Sequence, residues 1–302
     1  MRQTKPLVSV IMPVYNGSRF VEKAIDSILS QTYQQFELLI IDDTSTDATW
    51  SILQRYQRKT PSKIRLFRLR KNVGAFLAAN IALKKAKGMY IAPMDSDDIS
   101  HKRRLEKEVQ FLQEHRDIIA VGSYVHIINA KGHITGNKQY KTDHEGIYKQ
   151  FALVNPIVHP SMMIRRNMLP HQTYLYLTQY GVSSDYYTFF ELLNYGKFAN
   201  IPEYLLSYRI HGKNSSLQNL KEKFYTITHV RLNAIKHFHY NFPLVAVPFF
   251  IVQIVIVTIV PESFLLPLYL MLRGMKPLAI PQMSRLSLSL PRRALKYAFS
   301  LL

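Results

Sequence analysis

Leu7-Val8-Ser9-Val10-Ile11-Met12-Pro13-Val14 is an almost unbroken apolar run that ends in Tyr15-Asn16. A strand with one wet face alternates apolar and polar residues. A run without that alternation reads as a strand covered on both faces, the habit of parallel sheets. The period then changes: Phe20, Val21, Ala24, Ile25, Ile28 and Leu29 recur at three- and four-residue spacing, one face of a helix. The same alternation continues. Phe36-Glu37-Leu38-Leu39-Ile40-Ile41 reads as a strand and residues 46–57 as a helix, with Asp47 favouring its first turn. Residues 64–69 read as a strand, 75–86 as a helix stopped by Gly88, 89–92 as a strand, 102–115 as a helix and 118–128 as a strand. Strand–helix alternation of this kind predicts an α/β fold with a doubly wound, mostly parallel sheet flanked by helices. Residues 129–215 are less regular and are assigned to the same domain, 1–215.

The chain of 302 residues is long enough for a full core, and 47% hydrophobic with 12% aromatic residues it does not resemble a disordered sequence. With no cysteine, disulfides and Cys-based zinc sites are excluded. The basic start leads straight into the first apolar run with no small-residue cleavage site, so no signal peptide is read. The net charge of +19 suits nucleic acid, anionic lipid or a phosphate-rich substrate. Its location decides among them. Arg273, Lys276, Arg285, Arg292, Arg293 and Lys296 crowd the last 30 residues without one acidic residue. They follow the most apolar stretch of the chain, which favours an anionic membrane surface and no nucleic acid.

Residues 216–302 are therefore read as a basic, apolar, helical, membrane-associated appendage. A basic amphipathic helix is expected at 217–240. Residues 242–272 carry one charge, Glu262, and are broken by Pro248, Pro261 and Pro267. A spanning helix needs ~20 apolar residues, and basic residues flank both sides of this segment, which one clean pass would place on opposite faces. A re-entrant or interfacial arrangement on the cytoplasmic side is the expectation. The alternative is an apolar interface between copies, which would make the protein a homo-oligomer.

In open α/β sheets ligands bind beyond the carboxyl ends of the strands. Asp42-Asp43 ends the second strand and Asp95-Ser96-Asp97-Asp98 the fourth. Carboxylates so close repel one another unless a cation sits among them. Hard oxygen donors suit Mg2+ or Mn2+, which keep substrate phosphates in their shell. The plainer alternative is a solvated loop in which Asp98 or Ser100 caps the helix near Lys102. Thr46 and Asp47 are read as caps of their own helix.

These motifs resemble family 2 glycosyltransferases with the GT-A fold. The likeness covers residues 7 to about 215: Val8-Ser9-Val10-Ile11-Met12-Pro13-Val14-Tyr15-Asn16, Asp42-Asp43-x-Ser45-x-Asp47, Asn72-Val73-Gly74 with Asn80, Asp95-Ser96-Asp97-Asp98, Arg104-Leu105-Glu106, Asn155-Pro156, and Tyr208-Arg209-Ile210-His211. The resemblance implies a nucleoside-diphosphate-sugar donor, a UDP-sugar for the family, and a glycan or lipid-linked acceptor in cell-surface polysaccharide synthesis. Pro13 and Tyr15 would line the base pocket and Asp43 would accept from the base. Asn16, Asp42, Asn72, Gly74 and Ser96 are further donor contacts. Asp97 would be the principal metal ligand, with Asp95 beside it.

Asp185 in Ser184-Asp185-Tyr186-Tyr187 stands where the family keeps the base of an inverting displacement. The usual Glu before it is Ser184, and a frequent acidic position two residues after it is Tyr187. His159 and His211 are secondary candidates for ligand or metal contact. The Q-x-x-R-W motif of processive synthases is absent from a chain whose single Trp is Trp50, which implies one sugar per encounter. A metal-dependent nucleotidyltransferase acting on sugar phosphates is the competing enzyme class, although residues 13–17 lack its Gly-rich basic loop.

Overall fold

The computed structural model describes residues 5–268 apart from 172–173, 213, 215–216, 262 and 266. The basic tail expected from residue 273 onward lies outside the described residues. Strand β1 (Val8–Val14) pairs in parallel with β2 (Phe36–Asp42) on one side and β4 (Tyr90–Pro93) on the other, and β3 (Ile64–Arg68) pairs in parallel with β2. The sequence alternation dictates this half of the sheet. Along β2 successive side chains point to opposite faces, so Leu38 and Ile40 enter one core cluster while Leu39 and Ile41 enter the other.

Each face is closed by helices. Helices α1 (Val21–Leu29), α2 (Thr49–Lys59) and α4 (Arg104–Glu114) cover the first cluster through Ile25, Leu53 and Val109. Helix α3 (Ala75–Lys85) covers the second through Ala78, Ala82 and Leu83.

Beyond β4 the sheet is mixed. The full order is β3-β2-β1-β4-β8-β6-β9-β5, with β7 (Ile134–Lys138) against β6 (Ile118–Asn129). Strand β8 (Met163–Arg165) is wedged antiparallel between β4 and β6, and the long β9 (Lys197–Ile210) returns parallel to β6. The two-residue β5 (Ile99–Ser100) pairs antiparallel with β9. The described residues of the irregular stretch 129–215 thus supply β7, β8 and β9 together with the α-helices α5 (His144–Gln150) and α6 (Ser184–Leu192).

Two helix starts depart from expectation. Helix α2 begins at Thr49, because the Asp47 carboxylate accepts from the Thr49 backbone N–H at 3.0 Å and from Ser18 N–H at 3.2 Å. Helix α4 begins at Arg104 with no side-chain cap, so neither Asp98 nor Ser100 caps it.

Helix α7 (Leu220–Phe238) is the expected basic helix, and it packs Val230 and Ala234 into the second core cluster beside Phe189 and Phe190 of α6. Helix α8 (Val247–Ile259) follows. At ~1.5 Å per residue its 13 residues reach roughly 20 Å, against ~30 Å for a hydrocarbon core. No helix among the described residues is long and apolar enough to cross a membrane. Yet Leu244, Ile251, Val255 and Ile259 each expose 47% or more of their surface. That is a contiguous apolar face of the kind that marks contact with a partner or a lipid.

Candidate active site

The acidic loop leaves β4 at the carboxyl edge of the parallel half, where α/β sheets bind ligands. One carboxylate oxygen from each of Asp95, Asp97 and Asp98 falls within a common 4.8 Å. The loop is held from below and from the side. From below, the fully buried Arg104 of α4 pairs with Glu108 at 3.0 Å and donates to the carbonyls of Pro93 (3.1 Å) and Met162 (2.8 Å). From the side, β9 hooks it. Arg209 N–H donates to Asp98 Oδ1 at 2.7 Å, and Arg209 Nε donates to the Asp97 carbonyl at 2.6 Å. Two residues on, His211 Nε2 lies 2.9 Å from Asp97 Oδ2, and the His211 N–H is held by Asn214 Oδ1 at 2.9 Å.

Crowding raises the proton affinity of the cluster. Burial, then the charges of Asp97 and Asp185, push the Asp95 carboxyl up to about 7. Burial, then the charges of Asp97 and Asp95, hold Asp98 well above the ordinary carboxylate range. Asp98 Oδ2 is buried without a partner among the described residues. Carboxylates that raise one another's proton affinity in this way are the kind of group a bound cation stabilises.

Across the cleft stands Asp185, the second residue of α6, with Oδ2 accepting from Asn155 Nδ2 at 3.1 Å. Burial raises its carboxyl to about 6. His159 sits between the two carboxylate centres. Its Nδ1 is 3.8 Å from Asp95 Oδ1, and its Nε2 is 2.6 Å from Tyr176 Oη. Burial and the Arg104 charge lower it to about 3, so it is a neutral imidazole. Tyr176 is fixed in turn by Asn80 of α3, whose amide accepts from the N–H of Leu175 and Tyr176 and donates to the Tyr176 carbonyl.

The cleft measures about 1050 Å3 and is lined by Pro13, Tyr15, Asn16, Gly74, Asp95, Ser96, Asp97, His159, Asp185 and His211 among others. That volume lies at the upper end of the range for ligand pockets, which reaches ~1,000 Å3. Tyr15, half exposed, offers an open ring at the mouth.

Three expected contacts are placed elsewhere. Asp42 is fully buried, its carboxylate 3.1 Å from Arg68 Nε, and does not line the cleft. Asp43 turns both oxygens to the N–H groups of Val73 (2.9 Å) and Gly74 (2.8 Å) and thereby shapes the start of α3. Gly74 has φ +86, a conformation that favours glycine. Asn72 donates to the Asp43 carbonyl at 3.2 Å.

The sequence reading missed Tyr176 on His159 and, although it quoted Asn155, Arg104 and Arg209 within motifs, gave no role to Asn155 on Asp185, Arg104 beneath the acidic loop or Arg209 beside it. The Tyr208-Arg209-Ile210-His211 alternation carried a signal, since Arg209 and His211 fall on one side of a strand. Arg104 and Glu108, opposite charges four residues apart on the apolar face of α4, carried another.

The sequence profile described as Glycosyl transferase family 2 matches residues 9–171. The chain is 32% identical over 217 residues to the O-antigen biosynthesis glycosyltransferase WbnJ of Escherichia coli, covering 69% of this chain and 82% of that one. Among solved structures it superposes on the mannosyltransferase PcManGT of Pyrobaculum calidifontis, solved with GDP-Man and Mn2+. The TM-score is 0.57 at 19% identity, over 86% of this chain and 78% of that one. It also superposes on S. aureus TarS 1-349 solved with UDP-GlcNAc, with TM-score 0.57 at 22% identity, over 75% of this chain. The match spans 66% of that TarS chain.

Proposed function

The chain belongs to glycosyltransferase family 2, and from that premise we propose that it is a metal-dependent inverting enzyme. It would move one sugar from a nucleoside-diphosphate donor to a glycan or lipid-linked acceptor in cell-surface polysaccharide synthesis. The observation that carries this is the placement of Asp95 and Asp97 on one wall and Asp185 on the other wall of a single cleft. The role of the E. coli relative in O-antigen synthesis supports the pathway class.

The donor's base, uridine in this reading, rests against Pro13, Tyr15 and the turn at Val73-Gly74 that Asp43 holds. The residues fit a divalent cation: carboxylate oxygens of Asp95, Asp97 and Asp98 converge, and the buried Asp98 Oδ2 has no partner among the described residues. Mn2+ or Mg2+ bound there would neutralise the diphosphate as it leaves. His211, 2.9 Å from Asp97, orients that carboxylate. Asp185 takes the proton of the acceptor hydroxyl while its oxygen bonds to the anomeric carbon from the face opposite the departing diphosphate, which inverts that centre. Neutral His159, held by Tyr176, fills the space between as a hydrogen-bonding partner for sugar hydroxyls. The apolar face of α8 suits a peripheral seat on the cytoplasmic side of the inner membrane, close to an acceptor in the bilayer.

A thermal-shift and turnover screen of sugar nucleotides with and without Mn2+ tests the reading. A donor that binds the native state raises its stability. Metal-dependent release of nucleoside diphosphate is expected. Release of pyrophosphate, or a product that keeps the donor's anomeric configuration, would overturn it.

A further inference from the structure

The cleft does not stop at Asp185. Past it the wall passes to the C-terminal helices, and the lining becomes Lys223, Phe224, Ile227 and Arg231 of α7, Val257 of α8, and Leu265. The acidic residues that line the cleft are Asp95, Asp97 and Asp185, and none of them comes from α7 or α8.

Arg231 is the feature that asks for an explanation. It is only 3% exposed. Its Nε donates to Tyr186 Oη at 3.2 Å, and its guanidinium lies over the rings of Tyr186 and Phe250 at 5.8 and 5.4 Å. Its Nη1 is buried with no acceptor among the described residues. On α8 Gln253 is fully buried, and neither of its amide atoms is paired among the described residues. Buried donors are normally satisfied, and a buried cation normally has an anion. A nearly buried, orphaned cation that lines an open cleft describes a receptor for a charged acceptor group.

Lys223, which also lines this end, lies near enough to act electrostatically on Asp185. The outer surface of α8 is apolar and exposed, while its inner residue Val257 closes against Phe224 and Leu265. A soluble phosphate would match the cations but leave the apolar surface unused. A neutral glycan would leave Arg231 without its anion.

We propose that this end of the cleft seats the phosphate of an acceptor carried on a lipid. Arg231 and Lys223 bind its phosphate oxygens, and the lipid chain follows α8 into the bilayer. The proposal rests on the glycosyltransferase reading of the site and names the acceptor that Asp185 serves.

Calorimetric titration of the full chain in EDTA with farnesyl diphosphate tests it, because without metal the acidic cluster repels a diphosphate at the donor end. Farnesyl diphosphate should bind at least about tenfold more tightly than farnesol or inorganic pyrophosphate. Arg231→Gln and Lys223→Gln should each weaken it by about tenfold. Lys223 is half-buried on the surface of α7, so its variant keeps the fold and the test stands if Arg231→Gln does not fold. Farnesol binding as tightly as farnesyl diphosphate, an unchanged Kd in Lys223→Gln, or displacement by an equal concentration of dioctanoyl phosphatidylglycerol would each overturn the proposal. Failure of UDP with Mn2+ to stabilise the wild-type chain would strike the donor assignment instead and leave this titration standing.

Discussion

The acidic loop at residues 95–98 and the helix pair α7–α8 line the same cleft, but they are held in opposite ways. The loop is braced from several sides, with Arg104 beneath it, Arg209 beside it and His211 against its central carboxylate. The helix pair meets through Phe224, Val257 and Leu265 and leaves Arg231 and Gln253 with unmatched polar atoms. A rigid bed of fixed dipoles costs no reorganisation when charge develops on a leaving group. A loosely satisfied apolar interface can take up a bulky, lipid-borne partner. In the proposed function the two ends of the cleft divide the work, one serving the leaving diphosphate and the other the incoming acceptor.

Asp97→Asn attacks the fixed end at its centre. It should lower kcat/KM by roughly a thousandfold and abolish the Mn2+-dependent rise in Tm while leaving the metal-free Tm unchanged. Undiminished turnover would remove Asp97 from the metal site. Arg104→Met attacks the same end from below. It strands Glu108, fully buried with it, and should cost ~3 kcal/mol in urea unfolding. A loss under 1 kcal/mol would mean that the loop does not depend on its brace.

Asp185→Asn lies where the two ends meet. Turnover should fall by roughly a hundredfold, with donor stabilisation by UDP and Mn2+ intact. The pH profile carries the sign. The working form is the carboxylate and burial raises it to about 6, so the wild-type rate falls as pH drops through about 6 and is flat above it. A rate that persisted at pH 5 would exclude Asp185 as the base. The smallest effect is expected at the loose end. Ile251→Glu with Val255→Glu, both on the exposed face of α8, should cut sedimentation with anionic vesicles by about tenfold. Transfer to a soluble acceptor should stay unchanged, and undiminished sedimentation would remove α8 as the membrane contact.

Much of the fixed end was legible in the chain. The run at residues 7–14 and the repeated change of period specified the parallel strands and their helices, because burial on both faces of a strand imprints itself on neighbouring residues. The placement of Asp95 and Asp97 at the end of β4 followed from that topology. What the tertiary structure decided lies where partners are far apart in sequence. Asp42 and Asp43, adjacent and alike, were separated by fold: one is buried against Arg68, the other holds the turn before α3. Asp98 was free to be a helix cap until β9, more than a hundred residues later, delivered the N–H of Arg209. His211 met Asp97, and Arg231 Nη1 was left without an acceptor among the described residues, through long-range packing of the chain. Periodicity records which face a residue buries, since that is settled within a turn or a strand. Which charge it meets there is settled only when distant segments pack together.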